Sequence, residues 1–331
     1  MEGATGIDVS MLKGKKLLNM DSEEEGVMLA SCAGGCRADV KLPVERETVS
    51  GTKLTVSLSG LTGGHSGSEI DKGRGNANIL MSRLLRDASA PVAIASIDGG
   101  RKDNAIPREC TAQIIVAPDE AAAVKASIEQ AAAEIAEEFK ASDPDLKLTV
   151  SGETDCSESA ISAKDSARVI ALIEALPNGI IRMSREIDKL VETSLNLGVL
   201  KSDDAAVTLR YAVRSSVGVA KKSLKNQLVC IAGAFAAEVT FEGDYPAWEY
   251  KKDSKLREDM VRIFEEMYGK KPTVEAIHAG VECGLLSGKI EGLDCISMGP
   301  DMYDIHTTEE RLSISSAKRS YEYILRVIAC K

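Results

Sequence analysis

The 331-residue chain is short of several things, and each shortage excludes something. Aromatic residues are only 4% of it, with a single Trp, so its cores must be built from Val, Ile, Leu and Ala packed between layers, which favours an α/β or α+β architecture. Positive charge is in deficit. With 41 Lys and Arg against 51 Asp and Glu the net charge is −10, which argues against nucleic acid as a partner because phosphate binding needs a basic surface. No apolar run reaches membrane length and residues 1–10 do not read as a signal segment, so a cytoplasmic protein with no membrane partner is expected. Eight cysteines are scattered without a CxxC pair. Cys32 and Cys36 flank Ala-Gly-Gly, but no second pair lies at zinc-ribbon spacing, so the cysteines read as reduced, mostly buried thiols.

The length allows two domains with separate cores. Residues 16–20 and 27–32 read as short strands. Residues 52–60 alternate apolar and polar side chains with the period of a half-buried strand, and residues 76–86 carry apolar residues at helical spacing. Strands at 91–97 and 105–116, an alanine-rich helix at 121–140 and a strand at 146–151 complete a βαββαβ order, which predicts one sheet with helices on one face. The pattern recurs in part: a helix at 163–175, paired strands at 191–200 and 205–213, a helix at 223–236 and a strand at 238–242. The two units together predict an insertion over residues 43–246. Beyond the turn cluster Gly243-Asp244-Tyr245-Pro246, helix and strand alternate as at the end of a three-layer α/β domain. Residues 1–42 are too few to form its other half, so they are expected to pack with residues 247–331 in one discontinuous domain.

Gly63-Gly64-His65-Ser66-Gly67 places a histidine among glycines and small residues, a poor core and a good way to present an imidazole. Asp21 stands where an apolar strand ends, the place where open α/β sheets bind ligands, although Asp21 to Glu25 also reads as a solvated acidic turn. His306 lies between a strand and the last helix with Asp301, Asp304 and Glu309 nearby, as either a metal ligand or a surface histidine. His278 and Glu282 are four apart, on one face if the segment is helical, while the glycines between them favour a turn. Arg214 ends a strand, where it can clamp a carboxylate or form an exposed ion pair.

Taken together, several long stretches carry a specific resemblance: Leu17 to Gly26, Ser31 to Gly35, Leu61 to Asn78, Asp98-Gly99-Gly100, Asn104 to Pro107, Val191 to Gly198, Arg214-Ser215-Ser216, His278 to Gly284 and Ile305-His306-Thr307. The chain resembles the aminoacyl-histidine dipeptidases, within the family of dinuclear zinc aminopeptidases, carboxypeptidases and deacylases. That resemblance implies a partial three-layer α/β catalytic domain of the phosphorylase/hydrolase-like type, with an inserted α+β lid of two ferredoxin-like units. It implies metal-dependent hydrolysis of dipeptides of the Xaa-His type. Zinc is the implied metal, with manganese or cobalt also suited to His and carboxylate ligands. Asp21 and His306 would be metal ligands, and His65 would reach the substrate from the lid and polarise the oxyanion, often across a dimer interface. Asn104 and Arg214 would hold the substrate, with His278 and Glu282 lining its site. A homodimer through the lid is the implied assembly. The resemblance also places the first metal histidine, the bridging aspartate and the general-base glutamate ahead of residue 1, so the chain is expected to be incomplete and inactive alone. The alternative is a non-catalytic dimerising or peptide-binding module derived from the lid.

Overall fold

The structure is a computed structural model that describes residues 2–305 and 307–330. Two sheets organise it. The larger has nine strands, all antiparallel to their neighbours, and its main path runs Glu238–Tyr245, Gly34–Pro43, Ala206–Ser215, Val191–Ser202, Ala93–Gly99, Cys110–Val116, Arg46–Ser59, Lys147–Ile161, with Gly179–Met183 paired beside Val191–Ser202.

This order resolves into two units of the same design. In the first, Arg46–Ser59, the helix Ala77–Arg86, Ala93–Gly99, Cys110–Val116, the helix Ala121–Phe139 and Lys147–Ile161 follow in βαββαβ order, and Leu54, Val56 and Leu58 turn into the core on alternate positions. The second unit has the helices Ala163–Ala175 and Gly218–Ala234 and the strands Val191–Ser202, Ala206–Ser215 and Glu238–Tyr245, but its first strand comes from far upstream. Gly34–Pro43 fills that place, hydrogen-bonded between Ala206–Ser215 and Glu238–Tyr245. The expectation that residues 1–42 all join the C-terminal segment is therefore corrected: Gly34–Pro43 pairs within the larger sheet, where Ala38, Val40 and Leu42 are fully buried. The repeat looked partial in sequence because the first unit is spliced between the second unit's first strand and first helix. The units join through Leu200 opposite Gly99 and Lys201 opposite Asp98, and their helices share one core.

The smaller sheet has four strands in the order Lys16–Asn19, Asp294–Ser297, Val27–Cys32, Thr273–Ile277. Both outer pairings are parallel, and the middle pair meets through Ser297 and Leu29. The helices Lys255–Tyr268 and Ile314–Ala329 cover one face, packing Met260, Phe264 and Tyr323 on Met28 and Ile296. The helix Glu282–Lys289 covers the other, where Cys283 and Trp248 meet Cys32 and Cys295. Ile296 and Cys295, adjacent in one strand, point to opposite faces, as the pleat requires. The chain passes between the sheets twice, and the two passages are bonded to each other by Cys32 N to Trp248 O at 3.0 Å and Trp248 N to Cys32 O at 3.1 Å. Among the described residues, all the cysteines are free and no helix is long and apolar enough to cross a membrane.

Candidate active site

His65 lies in the two-residue strand Gly64–His65, paired with Ala105–Ile106, and Ser66 N donates to the Asn104 carbonyl at 2.9 Å. The loop carrying His65 and the loop carrying Asn104 are thereby laced together. Asn196 holds the second loop from beneath: its Nδ2 donates to the carbonyls of Asp103 at 3.0 Å and Ala105 at 2.9 Å, and its Oδ1 accepts from Asn76 Nδ2 at 3.1 Å. Asn76 also caps the helix Ala77–Arg86 through the amides of Asn78 and Ile79, so helix, strand and both loops form one polar network.

The His65 ring is oriented by its own backbone. The amides of Gly67 and Ser68 donate to Nδ1 at 3.3 and 3.1 Å. Two donors make Nδ1 an acceptor, which assigns the proton of the neutral ring to Nε2. The His65 amide donates to Glu69 Oε2 at 2.8 Å, and Arg74 pairs with the same carboxylate at 2.8 Å. These two bonds hold the Glu69 carboxyl below its ordinary range.

Arg214, on Ala206–Ser215, stands opposite Ser194 and Gly35, and its Nη1 donates to Tyr245 Oη at 3.4 Å. It lines a cleft of about 170 Å³ together with Asn104 and Tyr245. His278 enters from the smaller sheet, just past Thr273–Ile277, and its Nε2 lies 2.7 Å from Ser194 Oγ of the larger sheet. The His278 side chain is buried and its Nδ1 has no hydrogen-bond partner; Arg214 Nε is likewise buried and unpartnered. Gly67 closes the group: a Cβ there would lie 2.5 Å from the His278 carbonyl oxygen and 2.9 Å from His65 Cε1, so this approach admits only glycine.

Electrostatics tie the three side chains together. Burial, then the positive charge of Arg214, lowers the His65 pKa, with Glu69 opposing. The same two causes, followed by His65, push His278 down to about 3. A guanidinium with an open Nε thus acts on two imidazoles whose neutral forms it favours, an arrangement suited to a carboxylate and to a polarised carbonyl oxygen.

The remaining sequence-derived residues fall elsewhere. Asp21 is exposed and lines a separate cleft of about 760 Å³ with Glu23, Glu24, Glu275 and Asp301. Asp301 accepts from the Glu25 amide at 2.8 Å and Asp304 pairs with Arg311 at 2.5 Å. His306 lies outside the described residues. Glu282 and His278 do not share a helical face: the helix begins at Glu282 with Val281 as its cap, and His278 belongs to the bend before it, because Ala279-Gly280 turns the chain. Carboxylate oxygens suit a divalent cation, yet among the described residues no three His, Cys, Asp or Glu side chains come together as a metal site. The described residues alone therefore do not fit a metal centre.

Ser194, Asn196 and Tyr245 were not singled out by sequence reasoning. Their signal was faint: Thr193, Ser194 and Asn196 are polar residues in a strand, and only the structure shows them 2%, 1% and 1% exposed.

Residues 56–143 match the family model of the peptidase dimerisation domain. The chain is 34% identical over 320 residues to the cytosol non-specific dipeptidase of Escherichia coli (strain K12), covering 96% of this chain and 66% of that one. It superposes on the aminoacylhistidine dipeptidase of Vibrio alginolyticus with a TM-score of 0.92 and 32% identity, over 99% of this chain and 68% of the other. The chain belongs to the aminoacylhistidine dipeptidase family of M20 peptidases. It spans about two thirds of the length of these relatives. Within this chain the His65 loop approaches His278 through Gly67, and His278 meets Ser194 of the larger sheet.

Proposed function

We propose that this family member contributes the lid and substrate-holding side of a metal-dependent dipeptidase site, acting on short peptides of the Xaa-His type. The convergence of His65, Arg214 and His278 carries the reading. Arg214, with Asn104 beside it in the cleft, receives the C-terminal carboxylate of the peptide. His65, with its proton on Nε2, donates to the oxygen of the scissile carbonyl as charge develops there. His278, kept neutral, accepts or donates at the substrate without adding charge. Glu282 is the weakest of the proposed lining residues, since it opens its helix instead of sharing a face with His278.

Membership of the family implies a metal for the assembled site, zinc in the first instance, which when bound would polarise the carbonyl and acidify a water. Asp21 and His306 are the ligands this chain is proposed to contribute, and the general base and remaining ligands are proposed to come from polypeptide outside these 331 residues. On this reading residues 43–246 act as the lid, with its upstream strand Gly34–Pro43, and the smaller sheet is part of the catalytic domain. A homodimer is proposed on the dimerisation-domain match, and a cytoplasmic location on the name of the Escherichia coli relative.

The test is His65→Ala in the chain completed with the remaining third of the family fold. It is expected to lower kcat by about a hundred- to a thousandfold, the usual loss for one oxyanion donor, with metal content and folding unchanged. An unchanged kcat would reduce the His65 loop to a lid element and remove the central assignment.

A further inference from the structure

The strand Ala206–Ser215 carries Arg210 and Arg214 on one face, and the neighbouring strand Gly34–Pro43 treats them differently. Arg210 lies opposite Asp39, whose carboxylate takes both its Nε and its Nη2 at 2.7 Å. Arg214 lies opposite Gly35, which has no side chain to offer it. The space over Gly35 is filled from the next strand, where Tyr245 pairs with Gly35 in the same transverse row. A Cβ on Gly35 would lie 2.7 Å from Tyr245 Oη and 2.9 Å from its Cζ, so the ring crosses over the glycine to reach Arg214 Nη1 at 3.4 Å. A bulge decides which residue stands there. Glu242 pairs with Arg37 and Tyr245 with Gly35, three steps along one strand against two along the other, with Gly243 at φ +59°. In unbroken register Asp244 would stand opposite Gly35 and offer Arg214 a carboxylate, as Asp39 does to Arg210. The bulge turns Asp244 away to Lys221, at 2.6 Å, and to Lys225, and Lys221 also donates to the Tyr245 carbonyl.

The two arginines therefore end up in opposite states. Arg210 gives its Nε–Nη2 edge to Asp39, whereas the contact with Tyr245 is made through Nη1 and the Arg214 Nε is left buried without a partner. Burial, working against the pull of Arg214, raises the Tyr245 pKa, so at neutral pH the guanidinium is steadied by an uncharged oxygen and keeps its full charge. We propose that Tyr245 is a positioning residue for Arg214: set in place by the Gly243 bulge and seated over Gly35, its hydroxyl holds the guanidinium through Nη1 so that the Nε–Nη2 edge is kept for the carboxylate of the peptide. The inference rests on the reading of Arg214 given above. It adds that the bulge and Gly35 are what separate a ligand-binding arginine from a structural one on the same strand.

The test titrates this chain with alanyl-histidine and with the same dipeptide as its C-terminal amide, follows both by NMR, and reads the two dissociation constants against each other. The parent chain is expected to bind the free acid about tenfold or more tighter than the amide, because only the acid can take the bidentate edge. Tyr245→Phe keeps the ring and removes the oxygen, and should weaken the acid by about three- to tenfold while the amide changes by less than about twofold. Gly35→Ala, which pushes the ring off the glycine, should act in the same direction. In the Arg214→Ala background Tyr245→Phe should change neither ligand further, since the hydroxyl acts through the guanidinium. Acid binding that Arg214→Ala weakens and that both Tyr245→Phe and Gly35→Ala leave unchanged overturns the proposal and leaves the reading of Arg214 intact. Equal weakening of acid and amide in Tyr245→Phe also overturns it, because that is what a merely structural role predicts. A parent chain that binds neither ligand or does not distinguish them, or an Arg214→Ala variant that distinguishes them as well as the parent, overturns the reading of Arg214 and this inference together.

Discussion

On the proposed reading the side chains at positions 65, 214 and 278 hold the substrate, and the charge of Arg214 acts on both imidazoles. Arg214 is the common influence on both imidazoles, so Arg214→Ala should relax the downward push on each and, in a completed enzyme, raise KM by about tenfold or more with a smaller change in kcat. A KM that stays put would show that the carboxylate binds elsewhere. His278 makes a further prediction about acid. Its ordinary pKa of 6.5 falls to about 3 in the folded protein, so between those values the unfolded chain binds a proton that the folded chain refuses. Stability from this source rises with pH across that window and is lost as pH falls through it. Urea unfolding of the parent chain should therefore lose about 1.5 kcal/mol more between pH 6.5 and pH 5 than that of His278→Asn, the slope starting at half of roughly 1.4 kcal/mol per pH unit where the unfolded ring is half protonated. Equal losses would mean that the ring is hydrated and protonates in place.

At the level of elements, short loops are fixed by distant strands. The His65 loop has little structure of its own, yet Asn196 and the Asn104 carbonyl set its position, and Gly67 lets it press on the His278 carbonyl. Gly67→Ala should displace both histidines and lower kcat of a completed enzyme by about ten- to a hundredfold at unchanged metal content, since an ångström of misplacement is enough for such a loss. The passages between the sheets are equally tight. A Cβ on Gly34 would lie 2.4 Å from Ala247 N and 2.5 Å from the Pro246 carbonyl carbon. Gly34→Ala is expected to destabilise the chain by about 1–3 kcal/mol in urea unfolding, the usual range for overpacking against backbone that cannot give way. Wild-type stability in that variant would show that the two passages can part without loss.

Across the whole molecule, the cores under the two sheets are separate clusters, joined through the doubled passage and the contact of His278 with Ser194 and Gly67. Calorimetry should accordingly resolve two transitions, and the fluorescence of Trp248, the single Trp, should follow the one belonging to the smaller sheet. One transition seen identically by both probes would mean that the sheets fold as a unit. The strand alternation of residues 52–60 and the helices near 77–86 and 163–175 were legible from the sequence, because each is a local property with a period of two or 3.6 residues, and a histidine among glycines was legible as a ring kept out of a core. Partnership was not. Nothing in the spacing of Gly34–Pro43 says that it completes a unit whose other strands begin at Val191, and its apolar alternation suits either sheet equally well. Nor does local pattern reveal that Ser194 meets His278, or that Asn196 carries the Asn104 loop. The sequence by itself determined the elements, their faces and the family. Only the tertiary structure decided which strand lies beside which and that Arg214 shares a cleft with Asn104 and Tyr245, because those choices rest on burial and hydrogen bonds summed between residues far apart in the chain, which no window of neighbouring residues contains.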